Sequence, residues 1–280
     1  MTLSRGRRTL AIVLAITLVG FAGVAVVAGS SIMEADRVSG RVLFNGSFDR
    51  GLREYSQVIH GSRIALRDDP LGLPRKAARF TVYDWDIGPT ENPRAQISSP
   101  SILRPGADVW FGWSTLFPSN FPRRMTSGSL TIESTYGPPH RGTGPRSISV
   151  QPSASGEPEL RWQRNDTYDW DVVWRMPLIR GRWIDFVVHQ KMSRRESEGF
   201  VEMWVNTGQG WVQQRLKGRR RLNTATIDAS NGRGPNDHRL ASYRTRGIWE
   251  VVTLWHAAHK VGTSFAAVAP NSYGSDTPDL

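Results

Sequence analysis

Hydrophobicity alternates residue by residue in short runs along most of this chain, and after residue 36 no long segment repeats every 3.6 residues. That combination most restricts the fold. Alternation puts successive side chains on opposite faces of an extended strand, so each run has one face to bury and one to present. The runs include "RVLFNGSF" (41–48), "AARFTVYDW" (77–85), "RAQISSP" (94–100), "VWFGWSTLF" (109–117), "LTIEST" (130–135), "SISVQP" (147–152), "LRWQR" (160–164), "WIDFVVHQKM" (183–192), "FVEMWVN" (200–206), "HRLASYR" (238–244) and "GIWEVVTLWHAAHKVG" (247–262). Gly (27) and Pro (17) punctuate the gaps between them. Many short strands separated by turn residues predict an antiparallel sandwich or barrel. No internal repeat and no linker divides the region, so residues 36–270 are expected to form one domain, with a polar tail over 271–280.

The N-terminus differs in kind. "MTLSRGRR" is basic, and "TLAIVLAITLVGFAGVAVVAG" (9–29) is apolar and uncharged. Residues 1–35 therefore predict a signal peptide or a membrane anchor, with small residues near 26–31 for cleavage. In either case the domain is secreted or held on the outer face of the cytoplasmic membrane, touching the membrane only through that segment if it is uncleaved. The chain lacks cysteine, which excludes disulfides and thiolate metal sites.

The formal net charge is +11, and Arg supplies 32 of the 36 cations. Guanidinium groups fork onto carboxylates and phosphates. With no nucleic-acid motif in view, an acidic polysaccharide is the expected partner and nucleic acid is not. Eleven Trp suit a core or a sugar-lined groove.

The stretch "RGRWIDFVVHQKMSRRESEGFVEMWVN" (180–206) predicts a hairpin. Phe186, Val188, Val201, Met203 and Val205 take one face, while His189, Lys191, Glu202, Trp204 and Asn206 take the other. A polar face that includes a Trp suggests the lining of a groove. The paired His of "HAAH" (256–259) are expected on opposite strand faces, which makes a poor metal site. "NDTYDWD" (165–171) and "ENPRA" (91–95) hold oxygen ligands that suit a structural Ca²⁺; no other metal or cofactor is expected.

The hairpin resembles the "W-x-D-F-V-V-H-x-K-x-S … G-F-V-E-x-W-V-N" element of heparin lyase I-like polysaccharide lyases, a group that includes glucuronan lyases. "WFGWSTLFPSNFP" (110–122), "ALRDDPLGLPRKAARFTV" (65–82) and "DHRLASYR" (237–244) are similar to other segments of that family in the same order. The resemblance implies a concanavalin A-like β-jelly roll of two antiparallel sheets. It also implies β-elimination on a uronate-containing polysaccharide. On this footing Arg94 neutralises the uronate carboxylate, beside Gln96. Tyr243 is the acid, with Arg239 keeping its phenol acidic. The family's Gln-x-His pattern falls on Glu133 and Thr135, which leaves His189 or His140 as substitute bases. A monomer is expected. The alternative is a non-catalytic carbohydrate-binding or cell-envelope protein on the same fold, which the loss of Gln-x-His favours.

Overall fold

A computed structural model of the chain describes residues 40–86, 92–137, 145–166, 169–227 and 235–273. The expected leader and anchor segment, 1–35, lies outside them. In chain order the strands are β1 (Val42–Gly46), β2 (Gln57–Ile59), β3 (Ile64–Asp68), β4 (Lys76–Tyr83), β5 (Arg94–Ser98) and β6 (Asp108–Leu116). There follow β7 (Leu130–Tyr136), β8 (Arg146–Pro152), β9 (Pro158–Asp166), β10 (Asp169–Pro177) and β11 (Trp183–Lys191). The last are β12 (Phe200–Asn206), β13 (Trp211–Gln213), β14 (Leu222–Asn223), β15 (Asp237–Arg244) and β16 (Val251–Gly262), before a one-turn helix α1 (Phe265–Val268).

These strands form two antiparallel sheets. One has seven strands in the order β10-β9-β8-β7-β15-β5-β2. The other has nine, with the path β13-β12-β11-β6-β16-β4-β3, β1 added to β16 and β14 to β12. Several neighbours in each sheet are distant in sequence, as in a jelly roll. Alternation sorts the side chains between core and surface. Phe111, Trp113, Phe186, Val188, Val201, Met203 and Val205 from the nine-stranded sheet join Ala95, Ile97, Leu130, Ile132, Ile148, Val150 and Leu240 from the seven-stranded sheet in one buried core. Burying those faces is the main source of stability.

The outer face of the nine-stranded sheet is also partly covered. Trp110, Val187 and Trp204 pack beneath Phe265 and Val268 of α1. A Cβ on Gly112 would sit 2.0 Å from the Val268 carbonyl oxygen, so only glycine admits α1 this close. The chain after residue 270 stays packed as far as Tyr273. Ser272 Oγ donates to the buried Asp185 at 2.5 Å, and Tyr273 donates to the Trp183 carbonyl. Ser272 and Tyr273, just beyond 270, are therefore tied to β11.

A polar network lies within the core, between the sheets. Arg146 Nη1 donates to both oxygens of Glu133 at 2.8 and 3.0 Å, and its Nε donates to Gln190 at 2.6 Å. His238 joins Glu133 at 2.9 Å and His259 at 2.7 Å. Burial alone pushes Glu133 up, but Arg146 and His238 outweigh it and hold the carboxyl below its usual range. An ionised Glu133 fixes the protons: His238 Nε2–H donates to it, and His238 Nδ1 then accepts from His259 Nε2–H. Burial holds His238 and His259 below the ordinary imidazole value and takes His256 to about 4.

His256 and His259 share the inner face, not opposite faces as the spacing suggests. The register of β16 slips between Ala257 and Lys260, and Ala258 sits at φ 52°. That bulge adds one residue and reverses the parity.

Neutral buried imidazoles have a measurable consequence. The unfolded chain binds protons below about pH 6.5 while these histidines resist them, so their contribution is complete above that pH and is lost as pH falls toward 4. His256 alone accounts for on the order of 3 kcal/mol by pH 4. Urea unfolding at pH 7 and pH 4.5 should show a clearly lower midpoint at the acid end; equal midpoints contradict neutral burial.

Candidate active site

The outer face of the seven-stranded sheet carries two polar rows that cross the strands. Backbone register aligns Arg94 (β5), Tyr243 (β15), Thr131 (β7), Ser149 (β8) and Arg161 (β9) in the first. It aligns Ser98, Arg239, Ser134, Ser147 and Gln163 in the second. Strands stand about 4.8 Å apart, so each row spans roughly 19 Å, on the scale of a short oligosaccharide. The parity is imposed from below: Ala95, Ile97, Leu240 and Leu130 must point into the core, so their neighbours point out.

Tyr243 is the centre of this face. The Arg94 guanidinium lies 5.4 Å from its ring centroid. Gln96 stands two residues from Arg94 on the same side, opposite Ala241. It is 4% exposed, and its Nε2 is buried without a hydrogen-bond partner, as is Ser98 Oγ. Unsatisfied buried donors are costly and therefore rare, so an amide N–H here suits an acceptor brought by a ligand. On the other side of Tyr243 opens a cavity of about 260 Å³, lined by Thr131, Ser147, Ser149, Gln151, Gln163 and Asn92 among others.

Arg239 shares the face but has another task. Its Nε and Nη2 fork onto Asp237 at 2.6 and 3.0 Å, and its guanidinium lies 4.2 Å over the Tyr136 ring. Four residues separate it from Tyr243 along β15, a distance of about 13 Å. Asp237 compensates its charge, so it is not the group that tunes the phenol.

Glu133 and Thr135 do not reach the cleft. The register slips between Thr131 and Glu133, which leaves Ile132 as a bulged extra residue. Ile132 and Glu133 both turn inward, Thr135 follows, and Thr131, Ser134 and Tyr136 take the outer face. Glu133 is fully buried against Arg146 and His238, so this strand presents no carboxylate to the outer face.

The hairpin residues stand on the wrong sheet for the groove expected of them. His189, Lys191, Glu202, Trp204 and Asn206 belong to β11 and β12, in the nine-stranded sheet, on its outer face. His189 stacks on Trp110 at 3.9 Å between ring centroids. Its Nδ1 and Nε2 meet Glu202 at 2.7 Å and Asp108 at 2.5 Å. Burial lowers its pKa, yet the two carboxylates outweigh burial and raise it above the usual imidazole value. With a carboxylate against each ring nitrogen, His189 has no nitrogen free to take a proton from a substrate. Glu202 is also held by Arg221 at 3.1 Å, Trp204 is covered by Phe265, and Asn206 Oδ1 accepts from Gly208 N at 2.8 Å to cap a turn. Lys191 ends the same strand, half-buried.

His140 falls outside the described residues, as do Thr167 and Tyr168 of the Ca²⁺ candidate segment at 165–171. Asp171 of that segment is already paired with Arg164 at 2.8 Å and with Lys217. Among the described residues no three His, Asp or Glu side chains gather into a metal site.

Sequence reasoning missed the hydroxyl and amide lining of the cavity. "SISVQP" (147–152) does contain a signal. Its small polar residues alternate with Ile148 and Val150, which gives a strand whose outward face is wholly hydroxyl and amide.

The sequence matches the family model described as "Polysaccharide lyase" over residues 50–257. A search of curated proteins finds no match. Among solved structures, the chain is similar to an endo-β-1,4-glucuronan lyase from the fungus Trichoderma reesei, with a TM-score of 0.57 and 15% identity over 79% of this chain and 96% of that one. It is equally similar to a GH131 β-glucanase catalytic domain from Podospora anserina, at TM-score 0.57 and 15% identity over 81% and 100% of the two chains. A family 131 glycoside hydrolase domain from Coprinopsis cinerea follows at 0.53 and 12%, over 79% and 94%. At these identities the likeness is one of fold.

Proposed function

Because the chain belongs to the polysaccharide lyase family, we propose that it cleaves a uronate-containing polysaccharide by β-elimination across the row Arg94–Tyr243–Thr131. In that reaction a base removes the C5 proton of the uronate, the C4–O glycosidic bond breaks as the C4–C5 double bond forms, and the departing oxygen takes a proton. The C5 proton becomes acidic only when the carboxylate charge is neutralised. Arg94 supplies the cation and Gln96 Nε2 the hydrogen bond. Tyr243 lies between them and the cavity, where it reaches both the uronate and the departing oxygen. Among the described residues of β5, β15, β7 and β8 no imidazole faces outward, and this reading assigns both transfers to Tyr243: its phenolate takes the C5 proton and the resulting phenol returns it to the departing oxygen. The observation that carries this reading is the Tyr243–Arg94 register pair beside an amide donor that has no partner.

Hydrolysis, the chemistry named for the β-glucanase neighbour, needs two working carboxyl groups flanking the bond. The described carboxylates of this face are Asp237, forked by Arg239, and Glu159, bonded by Arg161 at 2.7 Å. Neither stands beside Tyr243, which favours elimination. A second reading, binding without catalysis, draws support from the hydroxyl and amide cavity, a lining typical of sugar recognition.

The basic flank and apolar run at 1–29 support placement outside the cytoplasm, where long acidic polysaccharides are found. The test is ultraviolet absorbance of the unsaturated uronate product over a panel of glucuronan, alginate, heparin and hyaluronan. A rise on at least one is expected; flat traces on all of them, with binding retained, favour the second reading.

A further inference from the structure

Elimination places the uronate on the Arg94 side of Tyr243 and the departing sugar on the other, over the cavity. This assignment rests on the proposed function, and the character of that second subsite can be read from its lining. Its volume, about 260 Å³, is roughly twenty times the ~10–15 Å³ that one water requires. It admits a sugar ring. The lining side chains next to Tyr243 are Thr131, Ser147, Ser149, Gln151 and Gln163, all uncharged. They are already arranged as a network: Ser149 Oγ donates to Gln163 Oε1 at 3.1 Å, and Gln151 Nε2 donates to Ser149 Oγ at 3.1 Å and to Gln163 Oε1.

The two cations bordering this network each have a carboxylate partner. Arg161, next along the row after Ser149, directs Nε to Glu159 at 2.7 Å, Nη1 to Gln151 at 3.0 Å and Nη2 to the Pro152 carbonyl at 2.6 Å. Arg244, which borders the cavity, is 1% exposed and gives Nη2 to Asp84 at 2.6 Å and to the Trp249 carbonyl; its Nε and Nη1 are buried without a hydrogen-bond partner, but Asp84 compensates its charge. A carboxylate entering here would lose water and meet hydroxyls, amides and compensated cations, an unfavourable exchange. Sugar hydroxyls, which both donate and accept, match Ser and Gln.

We propose that the subsite on the leaving side of Tyr243 selects an uncharged sugar, so that the substrate is a heteropolysaccharide in which a uronate is joined to a neutral residue rather than a run of uronates. Charge is then sorted along one row of the sheet: cation and amide donor on one side of the phenol, neutral hydrogen-bonding groups on the other.

The experiment compares two polymers, one alternating uronate with uncharged hexose and one of uronate alone. Turnover is followed on the native protein by ultraviolet absorbance. Affinity for the corresponding tetrasaccharides is followed by calorimetry on Tyr243→Phe. The alternating substrate should be favoured about tenfold or more in kcat/KM and in affinity. Gln151→Lys, which adds a cation at the rim, should narrow that preference, with its melting temperature as the folding control. Equal turnover, a preference for the homopolymer, or equal or absent binding of the two tetrasaccharides overturns the inference. If neither polymer is cut while the alternating tetrasaccharide still binds preferentially, the lyase reading fails and the neutral subsite stands.

Discussion

Tyr243→Phe should abolish turnover while leaving the protein folded. The hydroxyl is the only difference between the two side chains, and in the proposed reaction it carries the proton from uronate C5 to the departing oxygen. Positioned general acid–base groups contribute about 10²–10⁴-fold to a rate; a group serving both transfers belongs at the upper end. The substitution should cost little in stability, because the ring stays on its strand beside Arg94 and Tyr243 is only partly buried. Initial rates by ultraviolet absorbance and a thermal melt check this together. Near-native turnover in a folded Tyr243→Phe protein removes the phenol from the chemistry.

Glu133→Ala should be the most destabilising single change in the interior. Glu133 and Arg146 are 0% and 3% exposed at the side chain, and Arg146 is hemmed by the Phe111 and Trp162 rings at 5.6 and 5.4 Å. Truncating the acid strands a guanidinium in the core and leaves His238 Nε2 without its acceptor. Breaking a buried ion pair on one side typically costs about 3–5 kcal/mol. The double change Glu133→Leu with Arg146→Met removes both charges at similar volume and should recover part of that loss. Urea unfolding of the native protein and the two variants decides. A Glu133→Ala protein within about 1 kcal/mol of native stability contradicts the mutual dependence of these two charges.

The sandwich is legible in the sequence because period-two alternation states directly which residues are buried together. The pairs Phe186 with Val188 and Val201 with Met203 face the core as their spacing requires. Alternation does not say which sheet a strand joins. His189, Glu202 and Trp204 share a face, as their spacing predicts, and that face belongs to the sheet opposite Arg94 and Tyr243. Nor does alternation announce a bulge. At Ile132 and Ala258 one inserted residue reverses the parity, and neither position carries the glycine that often marks such a site. Parity counted without the bulge places Glu133 and Thr135 in the cleft, when they lie beneath it. The same count separates His256 from His259, when they point inward together. Arg94, Gln96, Ala241 and Tyr243 lie where β5 and β15 pair with each other without a slip, although β15 slips against β7 between Leu240 and Tyr243, and there the spacing places every side chain on its observed face.

The partner of Arg239 is hidden for a related reason. Asp237 precedes it by two residues on the same strand face, and the fork they form is visible only once Tyr136 is seen to lie beneath the guanidinium. A cation next to a catalytic phenol and a cation locked to its own neighbour have the same spacing in the sequence.

The most direct measurement of the central claim is the structure of Tyr243→Phe with a bound uronate oligosaccharide. The sugar chain is expected to cross β5, β15, β7 and β8 on the outer face of the seven-stranded sheet, with a carboxylate at Arg94 and Gln96 and the next residue in the cavity over Thr131 and Ser149. A chain bound instead on the outer face of the nine-stranded sheet, beside His189 and Trp211, would contradict it.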